Sequence, residues 1–176
     1  MNPKIYFIIG VNGVGKSSIT PFLKEALNSN TFIIHDFDER GVPDNADSVW
    51  RVSETLHWIK TGKENIDKYI STIICGFSKP KEIKKVSEDI RADVQVCLLD
   101  IKAEILKDRI MSRYQTPESL IELNRTVGKT PEKFISDNVW ISSKFREESV
   151  EAGYFVIDTS VLNPEEVANK IIDWIN

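Results

Sequence analysis

The chain has 176 residues, close to one domain at roughly 150 residues per domain, and is long enough to bury a core without disulfide or metal staples. With 41% hydrophobic and 28% charged residues it has a globular composition, which excludes a disordered tail or a collagen-like rod. A net charge of -4 argues against broad binding to nucleic acid, whose phosphates need an extended basic surface, and no apolar run approaches the roughly 20 residues that span a bilayer.

In chain order, the apolar run Ile5–Ile9 predicts a buried strand. It breaks into Gly10, Asn12, Gly13 and Gly15 with no small-residue cleavage site, so the start of the chain does not read as a signal peptide. Residues 17–28 carry one apolar stripe (Ile19, Phe22, Leu23, Ala26, Leu27) and predict a helix, with Pro21 introducing a kink or an irregular first turn. Residues 32–35 predict a second strand. A helix over 46–61 follows, capped by Asp44 or Asn45 and stopped by Gly62. Residues 72–75 predict the third strand. Beside Pro80, the cluster Lys79, Lys81, Lys84 and Lys85 reads as a solvated helix face, because acids return at Glu88 and Asp89. Residues 94–99 and 154–157 predict the last two strands, and 102–114 and 131–151 two more helices. Asn163 caps a final helix, with Pro164 at its first position. Nearly continuous apolar strands alternating with periodic helices predict an α/β fold, a parallel sheet covered on both faces. Cys75 and Cys97 lie inside apolar runs and read as buried reduced thiols, which points to a cytoplasmic protein.

The segment Gly10-Val11-Asn12-Gly13-Val14-Gly15-Lys16-Ser17 fits G-x-x-x-x-G-K-[ST] at every defined position. Its glycines let the backbone curl so that successive N–H groups face phosphate oxygens, and the helix that follows adds its positive end. Lys16 would meet the β- and γ-phosphates and the Ser17 hydroxyl would ligate Mg²⁺. Gly128-Lys129-Thr130 repeats the last letters, but Leu123 stands where the first glycine belongs and no strand leads in. Arg109 and Arg113 stand at i, i+4 opposite the core stripe of Ile105, Leu106 and Ile110. Neither has an acid three or four residues before it, which suits a phosphate clamp.

With this loop the chain resembles the small P-loop kinases of the nucleoside, nucleotide and shikimate kinase group, over essentially its whole length. The resemblance implies a five-stranded parallel sheet of order 2-3-1-4-5 with helices on both faces. It also implies one domain over 1–176, with a substrate-binding helical region at 40–70 and a helical lid at 114–131. ATP would lie on Gly10, Asn12, Gly13, Val14, Gly15, Lys16, Ser17 and Ser18, with Thr159 of Asp158-Thr159-Ser160 near the adenine. Asp36-Phe37-Asp38 resembles the D-x-D after the second strand of shikimate-like and antibiotic-modifying kinases. On that likeness Asp36 holds Mg²⁺ with Ser17, and Asp38 takes the acceptor's hydroxyl proton. If the backbone stays extended there, the two carboxylates project to one side. Lys16, Arg109 and Arg113 would neutralise the transferring group.

Three departures qualify the likeness. The third strand ends at Cys75-Gly76-Phe77 without a terminal acid, and Asp100 closes a strand that the family order places on the wrong side of the loop. The lid segment holds only Arg125 and Lys129 as cations and lacks a long apolar stripe. No N-K-x-D run reads guanine. Acceptor recognition falls to Arg40, Trp50 and Arg51, while Trp50, His57 and Trp58 recur on one helical stripe and read first as an aromatic core face. The expected activity is transfer of the γ-phosphoryl group of ATP to a small nucleoside, nucleotide or other hydroxyl compound by a monomer or homodimer, without a membrane or nucleic-acid partner. The alternative is a P-loop switch or ATPase that works with a protein or nucleic acid.

Overall fold

Why five short runs become one buried sheet is visible in their side chains. The computed structural model describes residues 2–44, 46–86 and 93–176. Strands β1 (Ile5–Ile9), β2 (Phe32–Asp36), β3 (Ser71–Gly76), β4 (Val94–Asp100) and β5 (Phe155–Asp158) are all parallel, in the order β2-β3-β1-β4-β5. Every residue of β1 is buried, as expected of a central strand covered on both sides. Its register sets Ile9 beside Gly76 of β3 and Leu98 of β4, so the chain leaves β1 at the carboxyl ends of its neighbours. That edge is where open α/β sheets bind ligands.

The helices are α1 (Lys16–Ala26), α2 (Ser48–Ile66), α3 (Pro80–Val86), α4 (Ala103–Arg113), α5 (Pro117–Val127), α6 (Pro131–Ala152) and α7 (Pro164–Ile175). α1 packs on α7, and Tyr6 meets Trp174 of α7 edge-on at 5.5 Å. The next residue back in β1, Ile5, faces α2 on the other side, as strand alternation requires. α3 and α6 also lie on the α2 side.

Several expectations need correction. α2 is capped by Asp47, whose side chain accepts from Trp50 N; Asn45 lies outside the described residues, as do Glu88 and Asp89. Gly62 does not stop α2, which continues to Ile66. A Cβ there would stand 2.6 Å from Ile5 Cγ1, so the glycine serves close helix–strand approach. α1 runs unbroken through Pro21. Residues 114–131 contain the helix α5, opened by a Thr116/Ser119 capping box, in which Leu123 is buried while Leu120 and Val127 are exposed, so no long apolar stripe is present. Gly128 ends α5 in the left-handed conformation and Thr130 caps α6, which accounts for the second Gly-Lys-Thr run.

Gly62→Ala sets a helix-propensity gain of about 1 kcal/mol against an overpacking cost of about 1–3 kcal/mol. The clash is with a rigid, fully buried isoleucine, so it should win. Urea denaturation should show the variant about 1 kcal/mol less stable than the parent.

Candidate active site

At the end of β1 the chain turns against its neighbour: a Cβ on Gly10 would stand 2.8 Å from the Leu99 carbonyl oxygen. Gly13 (φ 90) and Gly15 (φ 106) adopt the left-handed conformation that lets the loop close on itself. Gly15 is the N-cap of α1 and carries no side-chain acceptor, so the first amides of the helix stay available to a ligand. The Lys16 ammonium folds back across the loop, donating to the carbonyls of Gly10 (2.8 Å) and Val11 (2.9 Å). Burial lowers its pKa to about 8.

The opposite wall comes from β2. Asp36 closes the strand and the chain turns at Phe37 and Asp38, so the segment does not stay extended, because Phe37 is drawn into the core. Phe37 N donates to the Cys75 carbonyl (2.9 Å), its carbonyl accepts from Trp58 Nε1 (3.0 Å), and its side chain lies over Gly76, where a Cβ would stand 2.0 Å from Phe37 Cβ. Glu39 fastens the turn, accepting from Asp36 N (3.1 Å) and pairing with His35 Nδ1 (2.6 Å). Both carboxylates still reach one cavity of about 130 Å³, shared with Lys16, Ser17, Ser18, Asn12 and Arg113. Burial, and after it the neighbouring Asp36 charge, raises the pKa of Asp38. Cys75 also lines this cavity, but burial pushes its thiol up to about 12, which removes it as a nucleophile.

A second cavity of about 530 Å³ lies on the other side of the loop, lined by Gly13, Val14, Ser18, Arg109, Arg113, Thr159 and α7 residues. Here the arginine pair separates. Arg109 donates to the carbonyls of Thr159 (2.9 Å) and Val14 (3.4 Å) and lines this larger cavity beside the loop, not the smaller one. Four residues along a helix is a rise of about 6 Å, and only the C-terminal member, Arg113, reaches both cavities. Thr159 is buried and donates through Oγ1 to the Asp100 (3.0 Å) and Val14 (3.3 Å) carbonyls, tying the end of β5 to the loop.

Arg40 is likewise committed. It pairs with buried Glu54 at 3.1 Å, and neither residue lines the cavity. Trp50 packs edge-on against Phe37 (6.2 Å), and Trp58 is core, as the aromatic-stripe reading expected. Arg51 is different. Its guanidinium lies 5.0 Å over the Phe77 ring and close enough to Asp38 to offset part of the rise in that carboxyl's pKa, while Phe77 lines the smaller cavity. In the lid segment Lys129 is bound to Asp137 of α6 at 2.8 Å, which it shares with Lys133. Asp100 lies on the far side of β1 from β3, and its carboxylate is taken by Arg146 at 2.5 and 2.9 Å.

Among the described residues no group of three or more His, Cys, Asp or Glu could hold a metal unaided. The donors facing the smaller cavity are a hydroxyl, Ser17, and two carboxylates, which suits Mg²⁺, a cation that takes one or two protein oxygens and fills its shell with phosphate and water. A wider groove of about 640 Å³ at the β5 edge, lined by Phe155, Leu162 and Trp174, contains none of these groups. Sequence reasoning missed Glu39, Phe77 and Asn138. Only Asn138 left a signal, as an amide on the core face of α6 beside Phe134, Ile135 and Phe145.

No protein-family model matches the chain, and no curated protein matches its sequence. Solved structures do. A tunicamycin resistance protein from Deinococcus radiodurans aligns with a TM-score of 0.64 and 16% identity, over 99% of this chain and 96% of its own. The shikimate kinase of Acinetobacter baumannii, solved with shikimate, gives 0.59 and 17%, over 98% and 92%. A gluconokinase from Sinorhizobium meliloti gives 0.60 and 16%, over 98% and 91%. The fold is that of the small P-loop kinases. Among the described residues no helix is long and apolar enough to cross a membrane.

The buried lysine has a measurable consequence. Lys16 releases its proton near pH 8 in the folded protein and near 10.5 in the unfolded chain, so between these values the unfolded state binds more protons. The unfavourable contribution of its burial is therefore full below pH 8 and is relieved as pH rises towards 10.5. Urea denaturation from pH 7 to 10 should show the parent gaining stability relative to Lys16→Met across this window. A pH-independent difference would contradict the burial of the charge.

Proposed function

We propose that this chain is an ATP- and Mg²⁺-dependent kinase that transfers the γ-phosphoryl group to a hydroxyl of a small molecule. One observation carries the reading: a single cavity joins a Gly-rich loop, Lys16 and Ser17 on one wall to Asp36 and Asp38 on the other, with Arg113 at its rim. Cations and amides on one side and carboxylates on the other suit phosphoryl transfer, which needs positioning and charge stabilisation more than covalent chemistry. Ser17 and Asp36 would hold Mg²⁺, which supplies charge neutralisation at the phosphates.

In this reading the Gly13–Ser18 amides bind the phosphates, Lys16 swings from the Gly10 and Val11 carbonyls onto the transferring group, and Arg113 stabilises its charge. Arg109 and Thr159 belong to the nucleoside side, in the larger cavity. Asp38 accepts the acceptor's proton, and its raised pKa brings it nearer the range of an effective general base. Residues 40–70 form the acceptor region. Arg51, braced on Phe77 beside Asp38, supports an acceptor with an anionic group near its reacting hydroxyl. The names of the neighbours, a shikimate kinase and a gluconokinase, support a small hydroxylated acceptor. The whole chain acts as one unit with residues 114–131 as its lid, and its buried thiols suit the cytoplasm.

ATP consumption measured against a panel of polyhydroxy acids, nucleosides, nucleotides and antibiotics tests this. A kinase idles alone and accelerates with its acceptor, whereas steady hydrolysis indifferent to the whole panel favours the switch or ATPase. With the acceptor in hand, Asp38→Asn should lower the maximal rate about 10²- to 10⁴-fold while ATP affinity holds. Asp36→Asn should instead raise the Mg²⁺ concentration needed for half-maximal rate. Indistinguishable metal titrations and rates for the two variants would remove this pair from the chemistry.

A further inference from the structure

Asn138 is an amide in the wrong company. It lies on the buried face of α6, 3% exposed, among Phe134, Ile135 and Phe145. A carboxamide there is unfavourable unless its bonds are made. Both ends of this one are used. Its Oδ1 accepts from Asn12 N at 3.2 Å, with Asn12 Nδ2 at 3.4 Å, and its Nδ2 donates to the Phe134 carbonyl at 2.8 Å. The loop amide of Asn12 is thus held by α6, and the amides left for a ligand begin at Gly13.

The second bond leads elsewhere. Phe134 sits in the first turn of α6, directly after the 114–131 segment, and its ring meets Tyr114 edge-on at 5.9 Å. Tyr114 follows Arg113 at the end of α4. One buried side chain therefore bridges the phosphate loop, the start of α6 and, through a ring contact, the residue beside the rim arginine. We propose that Asn138 is a positioning residue that sets the Asn12 end of the loop in register with Arg113 and the 114–131 segment. As a kinetic statement this rests on the kinase reading above; as a structural coupling it does not. Asn138 has no place on either cavity wall, so it acts through its neighbours and not on substrate.

The physical content is a shared geometry. If α6 shifts, the Asn12 peptide and Tyr114 shift with it, so the loop and the rim arginine keep one spacing. Small errors in such spacing reduce rate far more than affinity. Asn138→Leu keeps the approximate volume and removes all three bonds. Phe134→Leu keeps the backbone carbonyl at 134, and with it the Asn138 bond, while removing the ring contact with Tyr114.

Hydrogen exchange on the nucleotide-free full-length protein comes first. Asn138→Leu should speed exchange both at amides 11–13 and across 114–131, and Phe134→Leu across 114–131 with less effect on the loop. Faster exchange in the loop alone would overturn the coupling, whatever the protein's activity. Binding of a fluorescent ADP analogue and turnover of Mg²⁺-ATP follow, with Lys16→Ala as control. Asn138→Leu should bind the analogue within about threefold of the parent, yet turn over about 10- to 100-fold more slowly. Equal turnover, or affinity and turnover lost together, would make Asn138 a packing residue only. Should the parent itself fail to bind nucleotide in a Lys16-dependent way, the kinase reading falls, while the exchange result still decides the coupling. If Asn138→Leu does not fold, the Phe134→Leu exchange pattern carries the decision.

Discussion

A lysine ammonium held by two backbone carbonyls organises this molecule. Lys16 can bridge Gly10 and Val11 only if the loop between them closes tightly, and each condition for closure is met by a different element. β4 lies so close that residue 10 has no room for a side chain, and left-handed glycines turn the chain at 13 and 15. Val14 is buried, and its carbonyl accepts from Thr159 beyond β5. From the other face Asn138 holds Asn12. The charge is thus kept in a low-dielectric place by carbonyl dipoles that a phosphate can replace, since an anion offers the ammonium more than two neutral oxygens do.

The second wall depends on an absence of bulk. Because Gly76 has no Cβ, Phe37 can lie directly across the end of β3, and that contact pulls the segment after β2 into a turn. Trp58, a core residue of α2, then anchors the turn through its indole N–H, so α2 and the carboxylate pair are mechanically one piece. Glu39 and His35 finish the turn at the surface. A larger residue at 76 would displace Phe37 and with it both aspartates, which is why the missing acid at the end of β3 and the aspartates at the end of β2 are two aspects of one arrangement.

How much of this was legible follows from sequence distance. The loop was readable because its glycines, lysine and serine are contiguous and their roles are local backbone geometry. The central strands β1, β3 and β4 were readable because burial on both faces leaves near-continuous apolar runs, the half-buried edge strands β2 and β5 are short apolar runs as well, and the parallel order followed from the family likeness those runs and that loop carried. Side-chain commitments were not readable. Arg40 meets Glu54 fourteen residues on, Arg109 meets the Thr159 carbonyl fifty residues on, and Asn12 meets Asn138 across 126 residues. Nothing in local periodicity carries such pairings, so cations that looked free in the chain proved to be spoken for. Gly62 misled for a related reason: a glycine that ends a helix and one that admits a neighbouring isoleucine look the same until the neighbour is known.

What remains after these commitments is a short set of groups without a structural duty. Lys129 is neutralised on α6, Arg146 on β4, Arg40 on α2, and Arg109 serves backbone carbonyls. Among the basic groups facing the smaller cavity, Arg113 has no ion pair among the described residues, and its charge is felt at Lys16 as repulsion. Lys16 and Arg113 repel across this space, Asp38 and Asp36 on the opposite wall offset that repulsion at Lys16, and burial is the main cost of its charge in the free protein. Such an arrangement is relieved by a ligand carrying negative charge towards Lys16 and Arg113 and a proton towards Asp38. A net charge of -4 hides this local polarity, because the acids that outnumber the bases lie mostly elsewhere, on helix surfaces and caps. The charge pattern of the cavity, more than the loop alone, is therefore what supports the proposed transfer over binding alone.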